Sequence, residues 1–526
     1  MSQILKSQSA LRTSRAGGLP RTLPTWAFVV GVLVLTAAVW AALQPSVPYL
    51  GHDEAVYAAK ARSWLTGAPS AQWGPHRAPG LPALGFVALA VHESVASVRV
   101  VGLLLALLAF ALFCWAATGL LGPARGIVAA LLVLSGPGFL RRIPEFLTDI
   151  GTAGLLAGAA YCLLRAQEGG AVPARRAGPH RAGGRDRWVP AAAGFALGAF
   201  YLRYGALAGI LALALAAVVA WGPRAWLARW RGLLGAAALL AVGLAPHLVA
   251  AERVTGSRVG MVRASVGAGH PEGLGGLLTY VRMFPVKLAG PWGGVVMAAG
   301  LVAGMLAAWR LARRRPRPED TRTVFVVLAA VALVVSLGLA AHGEPRFVFL
   351  SVFLLTLAGV AVLAEWAGAR ARLLLGALAA GAVATMPVTG LLVARGLHDV
   401  TSQRKSLVAA AAELAVQSGG VVGHSTGFAV PTRRCVVVTG YQPEVGWYSG
   451  CATASLEQVR SGELPPNAPV SYLVFARGRD QLPPARVRRL AADRSVRVVE
   501  LPAVGSLGAG RLLTVGGTPS RTPARG

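Results

Sequence analysis

The sequence predicts an α-helical polytopic membrane protein of about eleven transmembrane helices, followed by a small extracytoplasmic α/β domain. Three observations predict it. Hydrophobic residues make up 55% of the 526 and charged residues 14%, with a mean hydropathy of +0.58, far from the balance of a soluble enzyme. Stretches with no charge or almost none recur over the first 395 residues. From residue 398 the pattern turns to short β-like runs alternating with helical ones.

Residues 1–25 are polar and basic and read as a flexible cytoplasmic leader. The apolar stretches then fall at 26–43, 100–121, 126–139, 147–164, 189–201, 204–221, 232–251, 291–309, 323–341, 347–364 and 373–394. Most have the length of a bilayer crossing, while 126–139 and 189–201 are short and call for tilt, extension or partial re-entry. The first reads as a retained anchor, because it is long and no small-residue cleavage site follows it. With the N-terminus cytoplasmic, the inner segments 1–25, 122–125, 165–188, 222–231, 310–322 and 366–372 hold 22 Lys/Arg against 4 Asp/Glu. That bias satisfies the positive-inside rule and puts the C-terminus outside a plasma membrane. It also accounts for most of the net charge of +30. Basic residues capping helix ends, not interleaved with aromatics on a soluble face, argue against a nucleic-acid partner.

Two outer segments are long. Residues 44–99 contain a helical pattern from Glu54, with Val56, Tyr57, Ala61, Trp64 and Leu65 expected at the membrane interface. A Pro/Gly strap over 73–82 and a half-helix over 83–91 follow. The second, 252–290, is basic and glycine-rich around His270 and reads as a mobile lid. The domains expected are therefore the leader 1–25, a membrane bundle 26–395, an α/β domain 396–515 and a disordered tail 516–526. In the α/β domain a helix is expected at 402–417, strands at 421–422, 436–439, 470–475, 496–501 and 512–515, and helices near 455–460 and 484–492. Cys114 and Cys162 lie in apolar spans as small hydrophobes. Cys435 and Cys451, on the oxidising side, are expected to pair as a disulfide.

The residues able to carry chemistry gather at the outer ends of the spans. Asp53 and Glu54 adjoin the first span, where an Asp before an apolar-periodic run also makes a good helix N-cap. Asp149 lies at the start of the fourth span, an expensive place for an acid unless it faces a cavity or a partner such as Arg141 or Arg142. The connector His342-Gly343-Glu344-Pro345-Arg346-Phe347 puts a guanidinium suited to bidentate phosphate binding at the mouth of the bundle. Arg77 and Arg203 are further outer cations, Arg203 equally suited to snorkelling toward headgroups. His247, beside Pro246, is expected to satisfy the carbonyl that the proline frees. His52, His76 and His270 lack close metal-ligand spacing, whereas Asp53 and Asp149 are oxygen donors that suit a divalent cation, Mg, Mn or Ca. No Walker sequence occurs.

In layout over about 26–395, the chain resembles the C-type (GT-C) glycosyltransferases, the group holding protein O-mannosyltransferases and aminoarabinose transferases. The resemblance rests on the acidic pair within His52-Asp53-Glu54-Ala55-Val56-Tyr57, the following Arg77-Ala78-Pro79-Gly80-Leu81-Pro82, and the acid at Asp149. His342-Gly343-Glu344-Pro345-Arg346-Phe347 is also similar to the His-Lys-Glu-x-Arg-Phe motif of lipid-linked-oligosaccharide mannosyltransferases, with Gly343 in place of the lysine. The resemblance implies sugar transfer from a polyprenyl-phosphate donor to a hydroxyl on a lipid, glycan or protein acceptor. It makes Asp53 the general base with Glu54 its competitor, gives Asp149 the acceptor or a divalent ion to position, and makes Arg346 a ligand of the donor phosphate, with His342, Glu344 and Arg77 around it.

The chemistry fits independently. A sugar hydroxyl needs a carboxylate to take its proton, and the departing phosphate needs cations such as Arg346 or Arg77. Direct displacement inverts the anomeric centre; Glu54 stays open as the nucleophile of a retaining route. A transporter or flippase of a lipid-linked or anionic substrate is the alternative, and it predicts charges at mid-membrane and paired broken helices. An assembly protein anchoring the α/β domain predicts featureless loops.

Overall fold

The computed structural model describes residues 24–44, 49–168, 186–268, 272–417, 421–422, 429–430, 435–461, 469–478, 481–491 and 496–515. Nearly all of the leader, the tail 516–526 and His270 fall outside them. Every apolar stretch read from the sequence is helical: α1 Thr25–Leu43, α2 His52–Thr66, α3 Gly80–Val91, α4 Val95–Leu121, α5 Pro123–Leu134, α6 Pro137–Arg142, α7 Asp149–Gln167, α8 Trp188–Leu202 and α9 Ala206–Trp221. The chain continues through α10 Pro223–Leu227, α11 Trp230–Thr255, α12 Gly260–Gly267, α13 Leu274–Met283, α14 Val286–Ala312, α15 Asp320–Ala340, a 3₁₀ turn Pro345–Val348, α16 Phe349–Ala367 and α17 Ala371–Gln417. Among the described residues six stretches are long and apolar enough to cross a membrane: α1, α4, α11, α14, α15 and the run Pro345–Gln417.

Three differences from expectation have local causes. The stretch 126–139 is two helices, because Ser135-Gly136-Pro137 bends the chain between α5 and α6. α14 breaks at Gly290, whose φ of 76 only glycine adopts readily, and the span resumes at Pro291. The helix expected over 402–417 is the end of α17, a 47-residue helix with Pro387 inside it that continues past the expected domain boundary at 395.

The core is aromatic where α4, α6 and α16 meet. Phe113 stacks on Phe353 at 4.4 Å between ring centroids and Phe139 on Phe349 at 4.1 Å, all four buried. Offset stacking of this kind adds to burial. α14 and α16 touch backbone to backbone, and a Cβ on Gly359 would overlap the carbonyl oxygen of Val296.

The C-terminal domain is a five-stranded sheet in the order β4-β3-β5-β7-β6, with β3 Val436–Val438, β4 Ala452–Ala454, β5 Val470–Phe475, β6 Val496–Leu501 and β7 Gly510–Val515. β3 is parallel to β4 and β5, while β7 is antiparallel to β5 and β6. A separate antiparallel pair, β1 Val421–Val422 and β2 Ala429–Val430, packs against α17. β2, β4 and the helix α18 Gln442–Ser449 were not expected, being too short to register as periodic; α19 Leu456–Arg460 and α20 Pro484–Ala491 were. Leu407, Ala410 and Leu414 of α17 enter the domain core beside Val437, Leu473 and Leu512. Cys435 and Cys451 form the expected disulfide, with Cα atoms 5.1 Å apart, closing a loop that contains α18.

α18 fixes the domain to α2. The Arg62 guanidinium donates to the carbonyls of Trp447 at 2.7 Å and Gly446 at 3.0 Å, and lies 4.5 Å over the Trp447 ring. His52 Nδ1 is 3.3 Å from Glu444, and the Leu50 amide donates to the Tyr448 hydroxyl at 3.1 Å. Val56 and Ala61, expected at the membrane interface, are fully buried in this packing instead. Arg62→Met strands two buried carbonyls and is expected to cost about 3 kcal/mol. Hydrogen exchange should speed up across α18 and the adjoining turns of α2; unchanged protection there would mean that the contact does not hold the two together.

Candidate active site

α2 begins two residues earlier than the sequence suggested. Gly51 is the N-cap, and Glu54, at the third helical position, accepts the Gly51 amide at 2.9 Å. The two adjacent acids therefore part company. Glu54 is 4% exposed and turned inward. Its other oxygen accepts the Phe146 amide at 2.6 Å, while the Arg99 guanidinium of α4 donates at 2.9 Å to the same oxygen as Gly51. Arg99 also donates to the carbonyls of Pro144, at 2.5 Å, and Tyr49. Burial pushes the Glu54 carboxyl up to about 6, against the opposing pull of Arg99.

Asp53, at the second helical position, keeps about a third of its side chain open to a cavity (35%). Arg346 donates to one of its oxygens at 3.0 Å, and Arg77 sits 3.6 Å from the other. Burial alone would raise the Asp53 carboxyl, but the Arg346 and Arg77 guanidiniums together outweigh it and hold it at about 2. Glu344 pairs with Arg346 and bonds His342 at 3.1 Å, while Tyr280 holds the Glu344 backbone from α13. Burial raises Glu344 too, and Arg346, His342 and Arg142 together more than reverse that. Glu344 does not line the cavity; it braces Arg346. Gly343, which stands where the similar motif has lysine, lies against α13, and a Cβ there would meet the Thr279 Cβ at 2.6 Å and the Gly276 carbonyl at 2.9 Å.

Asp149 opens α7, and its partner is Arg203, not Arg141 or Arg142. Arg142 pairs with Glu145 instead. The Arg203 guanidinium lies 4.4 Å over the Phe347 ring, so this cation belongs to the site and does not snorkel to headgroups. His247 likewise departs from expectation. Its ring meets Phe200 at 4.9 Å and Tyr204 at 5.0 Å, and Nε2 has no hydrogen-bond partner.

These side chains close one end of a cavity of about 1000 Å³. Asp53, Tyr57, Arg77, Asp149, Arg203 and Arg346 make its polar end. The remainder is mostly apolar, with Thr152, Ser265 and Ser336 among its lining, and follows α9 from Leu207 to Val218, faced by Leu333 and Leu337 of α15. The fourteen residues from Gly205 to Val218 span about 20 Å. Val262, Ser265 and Val266 of α12 border it. A divalent cation does not suit this donor set. Asp53 and Asp149 each already pair with a guanidinium, and among the described residues no three His, Cys, Asp or Glu side chains converge.

Arg99 and Tyr57 were missed as site-building residues. Arg99 had a signal: it is a lone cation inside the first turns of an otherwise apolar helix, where membrane charges require partners. Tyr57 had none, since a tyrosine one turn after the acids has no distinctive pattern.

No protein-family model matches the chain, and no curated protein matches it in sequence. Among solved structures it is similar to ArnT from Cupriavidus metallidurans bound to undecaprenyl phosphate, with a TM-score of 0.63 and 16% identity over 93% of this chain and 98% of that one. The apo form of that protein gives 0.62 and 15% over the same shares. The Archaeoglobus fulgidus oligosaccharyltransferase tethered to an acceptor peptide gives 0.50 and 14%, over 85% and 69%. At these identities the likeness establishes the fold, which is that of the GT-C glycosyltransferases.

The two acids should separate in stability measurements. Glu54→Ala leaves Arg99 buried without its carboxylate and is expected to cost about 3–5 kcal/mol, read as a large fall in melting temperature in detergent. Asp53→Ala removes a carboxylate about a third open, leaves Arg346 its Glu344 partner and should lower it less. Equal falls for the two would overturn the division.

Proposed function

We propose that this chain, built on the GT-C fold, is a membrane glycosyltransferase that moves a sugar from a polyprenyl-phosphate donor to an acceptor hydroxyl. The observation that carries the reading is the two-part cavity. A ligand complementary to it has an anionic, hydrogen-bonding head and a long aliphatic tail, which is the constitution of a polyprenyl phosphate. The undecaprenyl phosphate bound by the structurally similar ArnT supports the same class. The charge bias of the sequence supports a plasma-membrane location with the cationic end of the cavity on the outer face.

In this reading the donor phosphate lies against Arg346 and Arg77, with its prenyl chain along α9 and α15. The acceptor oxygen attacks the anomeric carbon as the carbon–phosphate-oxygen bond breaks. The acceptor proton passes to Asp53, and the bond's electron pair leaves with the phosphate, whose growing charge the guanidiniums stabilise. Asp149 holds Arg203 in the wall beside Phe347. Glu54 faces away from the cavity with both oxygens bonded, so it offers no second nucleophile. A single displacement with inversion is the route this geometry favours.

The ion pair on Asp53 gives the reaction an order. With no donor bound, a carboxylate near 2 is ionised but a weak base. Phosphate competes for Arg346, and as it does so the Asp53 pKa climbs toward the ordinary range. Because kcat/KM reports the free enzyme and kcat the complex, the acid limb of kcat should lie at higher pH than that of kcat/KM. Coincident limbs would rule out this coupling.

Mutagenesis tests the base itself. Asp53→Asn should lower transfer from a radiolabelled polyprenyl-phosphate sugar pool by about 10²- to 10⁴-fold, while undecaprenyl phosphate binding persists. Wild-type rates in Asp53→Asn would remove it from the base role. Absence of transfer by the wild-type protein from any polyprenyl-phosphate sugar would overturn the proposed activity.

A further inference from the structure

The helix that presents Asp53 carries a second feature that donor binding does not use. Residues 53, 57, 60 and 64 recur at the spacing that keeps side chains on one face of a helix. On α2 these are Asp53, Tyr57, Lys60 and Trp64, whereas Ala55, Ala58, Ala59 and Arg62 are buried in packing. The strap lays Trp73 on the same face, edge-on to Tyr57 at 6.1 Å. Lys60 Nζ lies 5.5 Å from the Trp64 ring and 5.7 Å from the Trp73 ring, so the ammonium sits between two indoles. Arg77 lies 5.4 Å over Tyr57, joining this row to the polar end of the cavity. Trp64, at the far end, is 43% exposed. Eleven residues of helix set it about 16 Å from Asp53.

We propose that this face of α2 is an acceptor subsite for a linear carbohydrate chain; the proposal rests on the glycosyl-transfer reading and names its acceptor class. The chemistry of the row matches a glycan. The C–H faces of a sugar ring are apolar and flat, and indole and phenol rings offer flat apolar surfaces with polar edges. Hydroxyls at the sugar rim are acceptors for the Lys60 ammonium, which has three donors and a position held between the rings. The row also leads to the right atom. A chain stacked from Trp64 through Trp73 and Tyr57 delivers its terminal hydroxyl to Asp53, at the polar end, while the donor's prenyl chain takes the apolar end. Packing of the fold does not explain Trp64, since nearly half of its surface is open.

The test is saturation-transfer NMR of α- and β-linked manno-, gluco- and arabino-oligosaccharides on the full chain in nanodiscs. At least one series should bind saturably, its contact signal strongest on ring C–H protons. Trp64→Ala and Lys60→Ala should each weaken it by about tenfold, the equivalent of one ring-sized contact. Oligosaccharide affinity equal to wild type in both variants would overturn the subsite. So would absence of oligosaccharide binding by wild-type protein that still binds undecaprenyl phosphate; absence of both would instead sink the parent reading. A nitroxide on Trp64→Cys relaxed by oxygen in preference to a water-soluble nickel chelate would put the row in lipid and overturn the glycan assignment.

Discussion

A buried carboxylate organises this molecule. Glu54 joins three chain segments that are far apart in sequence: the start of α2 through the Gly51 amide, α4 through Arg99, and the connector before α7 through the Phe146 amide. Asp53 precedes it by one residue, and Asp149 follows Phe146 by three. The same node therefore sets the position of both acids that border the cavity. A charge taken out of water survives only when its partners satisfy it fully, and Glu54 meets that condition with two amides and a guanidinium. The interior ion pair positions its neighbours without taking part in their chemistry.

A different logic governs the cavity. There the charges are paired incompletely and to more than one partner. Arg346 divides itself between Asp53 and Glu344, and Arg77 stands off Asp53 at a distance that weakens the contact. Such pairs are readily redistributed when an anion arrives, because the guanidinium fork can exchange one acceptor for another without losing its donors' satisfaction. For the proposed donor, the apolar length along α9 and α15 supplies affinity without direction. Orientation comes from the polar end, where the small charged cluster is braced by Tyr280, His342 and Phe347.

Much of this was legible in the sequence. Apolar runs marked the long helices of the bundle, because a segment surrounded by lipid and other helices has no use for charge; the short α10 and the helices α12 and α13, which lie in the segment read as a lid, carried no such run. The acids and cations of the site could be gathered because they all fall at span ends on one side. What the sequence did not resolve was orientation within adjacent pairs. Asp53 and Glu54 are chemically alike and sequential, and where the helix starts decides which faces the cavity. The partner of Asp149 was misread for a similar reason: Arg141 and Arg142 are near in sequence, but Arg203 is near in space. α18 escaped notice because eight mixed residues carry no periodic signal, yet its contacts fix α2 from outside the bundle.

The unbroken course of α17 makes the bundle and the sheet parts of one mechanical piece. A flexible linker would let the sheet domain drift in height and heading; a helix transmits both as integers of residues. Each residue of α17 advances the chain by about 1.5 Å and turns it by about 100°. Adding or removing one would swing α18 off the flank of α2 even though every side chain in both were unchanged. The phase of that helix thus sets how α18 meets the flank of α2, beside the Glu54 node that sets Asp53.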